Sequence, residues 1–405
     1  MIELLAPAGN FEKLQFAFEF GADAVYLGGK HFSLRNLSSN FTIDEIKKAK
    51  EIALVKNKKI YVTVNIYPYN EDIEPIANFL EQLKDISPDA LIVSDPGIFR
   101  ISRLIVPDIP IHLSTQANTT NYQSVDFWSN LGIKRINLAR ELSLEDIKFI
   151  REKNKDIELE VFIHGAMCMS MSGRCLLSNF LTTRPSNKGE CTHPCRWNYH
   201  ITEETRQGEF YPIAEDNRGT YIMNSKDLCG INFLPQLMDM GIDSLKIEGR
   251  MKSIYYLANV VRIYRNAIDE YYSNPEKYFV RKEWLNELTS VSNRGYTTGF
   301  FVKRNNLAME NFATSGYIRK YQFIGIVKDI TEQGLIIEAR NKIFNRDSGE
   351  IVTKNFENFY ISFKEMYTLD GEKVDFVQPM KKFLLKTNYK SDIPVMSIIR
   401  KKNHE

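Results

Sequence analysis

The stretch "IELLAPAGNFEKLQFAFEFGADAVYLGG" (2–29) sets two short aliphatic runs, "IELLAPA" and "AVYLGG", on either side of a helix-like segment. In "NFEKLQFAFEFG" the apolar residues recur at helical spacing behind an Asn that suits an N-cap. A strand, a helix and a second strand in that order make a parallel pair, because the helix carries the chain back to the starting edge. The alternation continues outward. Strand-like runs follow at 59–65, 90–95, 109–115, 135–140, 158–165 and 243–250. Amphipathic stretches such as "TIDEIKKAKEIALVKN", "IEPIANFLEQLKDI" and "LSLEDIKFIREKNKD" lie between them. Eight strands at a spacing of about 25 residues fit a (β/α)8 barrel of the TIM type better than an open sheet.

One interval breaks the rhythm. Between the seventh and eighth runs the chain makes a long excursion, 166–242, which carries all five cysteines. The barrel, excursion included, is expected to occupy 1–270, with a connecting segment at 271–317. From 318 to 405 the period changes to strand-length runs ("QFIGIVKDI", "GLIIEARN", "NFYISF", "FLLKT", "IPVMSII") separated by turns. That pattern predicts a small all-β barrel domain. Its last stretch, 381–405, holds seven Lys or Arg against two acids, a candidate RNA-backbone contact or else a solvated face.

A formal net charge of +2 excludes a global field for polyanions and leaves room only for local patches. No apolar run reaches the roughly 20 residues of a membrane helix, and the first residues do not read as an export signal. The expectation is a cytoplasmic protein without membrane contact. In a reducing compartment, clustered cysteines point to metal or catalysis rather than to disulfides.

In a barrel, each strand's C-terminal end faces the reaction space. His164, Glu248 and Arg140 are the candidate catalytic residues there. Asn65, Asp95, Ser114, Gln116, Arg250 and Lys252 are the candidate substrate-binding residues. The cysteines run Cys168-x6-Cys175-x15-Cys191-x3-Cys195, then x33 to Cys229. Four thiolates suit tetrahedral zinc or an iron–sulfur cluster. Only Cys191 and Cys195 are spaced like a zinc knuckle, and the irregular gaps favour the cluster. A Cys168–His164 nucleophile pair is a further reading, though it leaves the other thiols unused. A scaffold whose metal only stabilises the excursion is another.

"EVFIHGAMCMSMSGRCLLS" (160–178) resembles the signature of the collagenase-like peptidase family U-32. Glu160, Phe162, Gly165, Ala166, Met167, Cys168, Gly173, Cys175, Leu177 and Ser178 carry the likeness. "LSTQAN", "NSKDL", "GIDSLKIEGRMKS" and the terminal β-domain extend it along nearly the whole chain, closest to the family's tRNA uridine 5-hydroxylation branch. The resemblance implies a [4Fe–4S] cluster held by Cys168, Cys175 and Cys191. Cys195, in "CTHPCRW", is favoured as fourth ligand over Cys229. It further implies tRNA as substrate, prephenate as an anionic co-substrate, and a paralogue or a second copy as partner. Hydroxylation of ribosomal RNA and the peptidase activity of the family's name stand as alternatives, as does zinc in place of the cluster. Arg140, Arg250 and Lys252 are the cations expected to meet an anionic metabolite, and Trp197 or Tyr199 could stack on a base.

Overall fold

The computed structural model describes residues 1–34, 40–168, 170–197, 214–216, 219–221, 225–302, 317–387 and 393–403. The barrel strands are Glu3–Pro7, Ala24–Gly28, Lys59–Val64, Ala90–Val93, Ile111–Leu113, Arg135–Asn137, Glu158–Ala166 and Ser244–Ile247. Each pairs in parallel with its neighbour, and the eighth closes on both the first and the seventh. All eight expected runs are therefore strands, in the expected order.

The helices between them start where side chains can cap them. Asn10 accepts from the Lys13 amide, and Thr42 and Ser143 form capping boxes with Glu45 and Asp146. Each such cap satisfies amides that the first helical turn leaves without partners. One face of each helix then packs on the sheet; Leu14, Ile46, Leu80, Ile98, Val125 and Ile147 are at most 1% exposed. Burying a side chain of this kind contributes about 1.5–3 kcal/mol. No helix among the described residues is long and apolar enough to cross a membrane.

The barrel interior is not wholly apolar. Glu3 takes bonds from Arg135 and from the Tyr61 hydroxyl (2.6 Å), while Lys246 reaches Glu160 at 2.8 Å. Burial opposes the charge on Glu3, yet Arg135 more than offsets it and holds the carboxyl below its usual range.

The excursion returns to the barrel through a short strand, Asp227–Cys229, antiparallel to the seventh strand. The segment read as a connection also comes back. Its helix Lys282–Ser290 packs on the closing helix Ile254–Ser273, and Tyr296–Thr297 pairs with Asp227–Cys229.

The C-terminal domain is an antiparallel half-barrel. Its sheet runs in the order Asn358–Ser362, Ser348–Val352, Ile398–Lys402, Tyr321–Thr331, Gly334–Ala339, Lys382–Leu385, Met366–Tyr367. Ile326, Val352 and Ile398 join the barrel's own apolar core, so the two domains share packing. Beside that seam lies a buried ion network: Glu287 accepts from Arg400 at 2.6 Å and from Arg262 at 2.9 Å. Arg400 was counted in the basic end expected to face RNA. It is 2% exposed and bound to Glu287 and Glu350, and Lys401 pairs with Asp347. Those two charges serve the fold.

Candidate active site at the barrel mouth

Above the C-terminal ends of the strands lies a cavity of about 420 Å3. Six of the strand-end candidates line it: Asn65, Ser114, Gln116, Arg140, Glu248 and Arg250. So do Cys168, Cys175, Cys191 and Cys195. The sequence scatters these groups over more than 180 positions; barrel closure and the excursion bring them together.

The excursion is tied to the barrel at several points. Glu141 accepts from the amide and hydroxyl of Ser172, the latter at 2.7 Å. Arg174 donates to the Gln116 carbonyl at 2.8 Å and lies over the Tyr67 ring. The Tyr67 amide donates to Asn187 O at 2.9 Å, and Lys188 pairs with Asp72 at 2.9 Å. Within the loop, Cys175 is held by Asn187, whose side chain accepts its amide at 3.2 Å, and by Ser186, which donates to its carbonyl.

The thiols are not in disulfides. Backbone amides two residues on donate to two of the sulfurs, Leu177 N to Cys175 and His193 N to Cys191, each at 3.4 Å. Such bonds stabilise thiolate charge and are among the levers that tune iron–sulfur centres. Arg140 donates to Ala166 O at 3.0 Å. Burial alone would weaken its hold on its proton; the Cys168 sulfur, Glu141 and Glu248 outweigh it and keep the guanidinium charged. Among the described residues no three His, Cys, Asp or Glu side chains converge on one ion position. A single tetrahedral zinc would require that convergence. The four cysteines share the lining of one cavity, and they are the side chains there that could hold a metal group.

Four candidates lie elsewhere. Asp95 caps the helix Pro96–Ile105, accepting from Gly97 and Ile98, and does not line the cavity. Lys252 donates to Ser292 O at 3.1 Å and lies 3.5 Å from Asp227. Cys229 is on the added strand, paired beside the seventh and outside the cavity lining; burial pushes its thiol up to about 11, which disfavours a thiolate.

His164 is the fourth. The seventh and eighth strands slip register where Lys246 faces Phe162 but Ile247 faces His164. The bulge turns His164 away from the cavity, into a cage of Tyr256, Tyr264 and Tyr296 with ring centres 5.3–6.0 Å away. Its Nδ1 is 3.3 Å from the Tyr264 hydroxyl, and no protein group among the described residues bonds Nε2. The Cys168–His164 pair is therefore not formed.

Burial brings the imidazole down to about 3, Lys252 adding to the fall and Asp227 opposing it. The folded protein thus keeps His164 neutral while the unfolded chain protonates it below about 6.5. Stability should rise with pH between those values and be lost as pH falls through the upper one, at about 1.4 kcal/mol per unit. Unfolding free energies from urea titrations at pH 7 and pH 5 should differ by about 2 kcal/mol less in H164Q than in the wild type.

Gly165 sits beside the same bulge at φ +118°, and a Cβ there would stand 2.5 Å from Glu248 O. Backbone cannot yield as a flexible side chain would. G165A should therefore cost more than the roughly 1–2 kcal/mol of the left-handed conformation alone, and displace Glu248. Thermal melting and a crystal structure of the variant check both effects.

Sequence reasoning missed four residues. Asn137 and Lys246 line the cavity from strands that were correctly identified, at inward positions of "RINLAR" and "DSLKIEGR". Asp227 and Arg294, 1% exposed, pair at 2.6 Å beneath Lys252. Trp197 is 43% exposed at the end of the cysteine loop. Tyr199 lies outside the described residues.

The model of the peptidase family U32 matches residues 9–311, and that of the family's C-terminal domain matches 319–400. The chain is 42% identical to the tRNA hydroxylation protein P1 of Bacillus subtilis, over 92% of this chain and 88% of that one. It is 37% identical to the tRNA hydroxylation protein P of Escherichia coli, over 91% and 90%. A collagenase of Porphyromonas gingivalis is 32% identical, over 80% of this chain and 79% of its own. With its barrel and its half-barrel both matched, the chain belongs to peptidase family U32.

Proposed function

We infer that the chain is an iron–sulfur-dependent RNA-modifying enzyme that hydroxylates the wobble uridine of tRNA at C5, with prephenate as co-substrate. One observation carries the reading: four thiols line the same cavity as the polar strand ends, in a chain similar to proteins named for tRNA hydroxylation. The exchange balances as U–H + R–OH → U–OH + R–H, where R–OH is the hydroxylated co-substrate. Cys168, Cys175, Cys191 and Cys195 would hold a [4Fe–4S] cluster, which would supply the one-electron chemistry that side chains lack.

The chain's own residues do the rest. Arg140, Lys246 and Arg250 place positive charge on the cavity wall, where guanidinium forks suit the two carboxylates of prephenate. Ser33, Thr63 and Asn40 orient the Arg250 guanidinium. Glu248 is a carboxylate placed to accept a proton at the mouth. The excursion, tied down by Glu141, Tyr67 and Asp72, covers the cavity and limits water. A base from an anticodon loop is already unpaired, so turning it inward costs little. Trp197, exposed two residues past Cys195, is available to stack on it.

Mass spectrometry of tRNA nucleosides tests the reading. A strain lacking the protein should lose 5-hydroxyuridine and its derivatives and regain them with the wild-type gene. Unchanged levels would reject tRNA as the substrate and move the proposal to ribosomal RNA. The collagenase-type activity, suggested by a relative's name, would need an activated nucleophile. His164 does not reach Cys168, so that pair does not supply one.

A further inference from the structure

Two amide side chains in the cavity wall are deeply buried yet have an oxygen that the protein does not use. Asn137, ending the sixth strand, is 2% exposed; Gln116, just past the fifth, is 7%. Among the described residues no group donates to Asn137 Oδ1 or Gln116 Oε1, and both residues line the cavity. Buried acceptors without donors are rare because each costs free energy. Apolar side chains of the same size would remove that cost, so a ligand is the economical account of their presence.

The surroundings fix both groups. Thr115 Oγ1 donates to Leu138 O at 3.0 Å, locking the fifth and sixth strand ends together. The Gln116 carbonyl takes bonds from Tyr67 and Arg174, both at 2.8 Å. Gly173 approaches so closely that a Cβ would lie 2.7 Å from Gln116 Nε2. The nitrogen end of that amide lies toward Gly173 of the excursion, and its oxygen is buried without a donor among the described residues.

We propose that Asn137 and Gln116 form a donor-reading subsite, their amide oxygens accepting the uracil N3–H and the ribose 2′-hydroxyl of the nucleotide turned into the cavity. This deepens, and rests on, the reading of the cavity as a uridine site. Cytosine lacks an N3–H and DNA lacks the 2′-hydroxyl, so the pair selects for uridine and for RNA.

The test is a chemical double-mutant cycle on the full-length protein. Anticodon stem-loop RNAs carry uridine, N3-methyluridine or 2′-deoxyuridine at the wobble position, and dissociation constants come from fluorescence anisotropy. Each modification should weaken wild-type binding about tenfold. N137L and Q116M should each weaken the unmodified RNA by a similar factor, and each should abolish the penalty of one modification. Both variants should melt at or above the wild-type temperature, because they remove unpartnered acceptors. Penalties that persist unchanged in the variants, or lower melting with unchanged affinity, would overturn the subsite. Variants that lose affinity for prephenate but keep both penalties would assign the amides to the co-substrate and also overturn it. Failure of the wild type to bind any stem-loop would instead overturn the underlying uridine reading.

Discussion

Replacing Cys191 with serine should leave anaerobically purified protein with almost no iron and no tRNA-hydroxylating activity. Cys191 lines the cavity, and its sulfur accepts the His193 amide in the loop tied down around Thr192. With a cluster held by these four thiols, removing one would open a corner that no other cysteine of residues 168–195 could fill. C168S, C175S and C195S should behave alike, within the spread expected of irregular ligand environments. C229S is the control that gives the series its force. Cys229 lies on the strand paired with the seventh, outside the cavity lining, and burial pushes its thiol up to about 11. Iron content in C229S should match the wild type. A C229S protein that loses its iron while C195S retains it would exchange the fourth ligand and refute the assignment made here.

The largest effect on stability should come from E287A. Glu287 is the carboxylate between two guanidiniums whose side chains are at most 3% exposed. Burial opposes its charge, but Arg400 and Arg262 more than offset this and hold the carboxyl below its usual range. Removing it leaves two buried cations without their shared partner, a change that costs about 3–5 kcal/mol. The urea midpoint should fall accordingly, with the C-terminal domain loosening from the closing helix first. The pH dependence has a definite sign. A depressed carboxylate contributes stability above its unfolded value and loses it as pH falls through the folded value. Acid unfolding below about pH 4 should therefore steepen in the wild type and not in E287A. A midpoint unchanged by E287A would mean that water screens the network.

Why the barrel could be read from sequence while parts of its site could not is a matter of range. Each strand and helix is a local pattern: the run 59–65 and the capped stretch beginning at Thr42 need no distant partner to be recognised. Inward positions at strand ends follow from the same pattern, and Asn65, Ser114 and Gln116 reached the cavity as expected. His164 failed because one bulge reverses the alternation, and a bulge arises from pairing with a strand some 80 residues away. Asp95 carried a legible signal, an acid directly before Pro96, which reads as a helix cap. Asp227 and Arg294 meet across 67 positions through short irregular segments that no periodicity marks. Arg400 looked like part of a basic tail because charge counting cannot tell an outward lysine from an inward arginine that bridges two domains.

The most direct measurement is the iron and acid-labile sulfide content of protein purified without oxygen. About four irons and four sulfides per chain, with brown colour bleached by air, is the result expected if four cysteines hold a cluster. Colourless protein with a single zinc and no sulfide would contradict it.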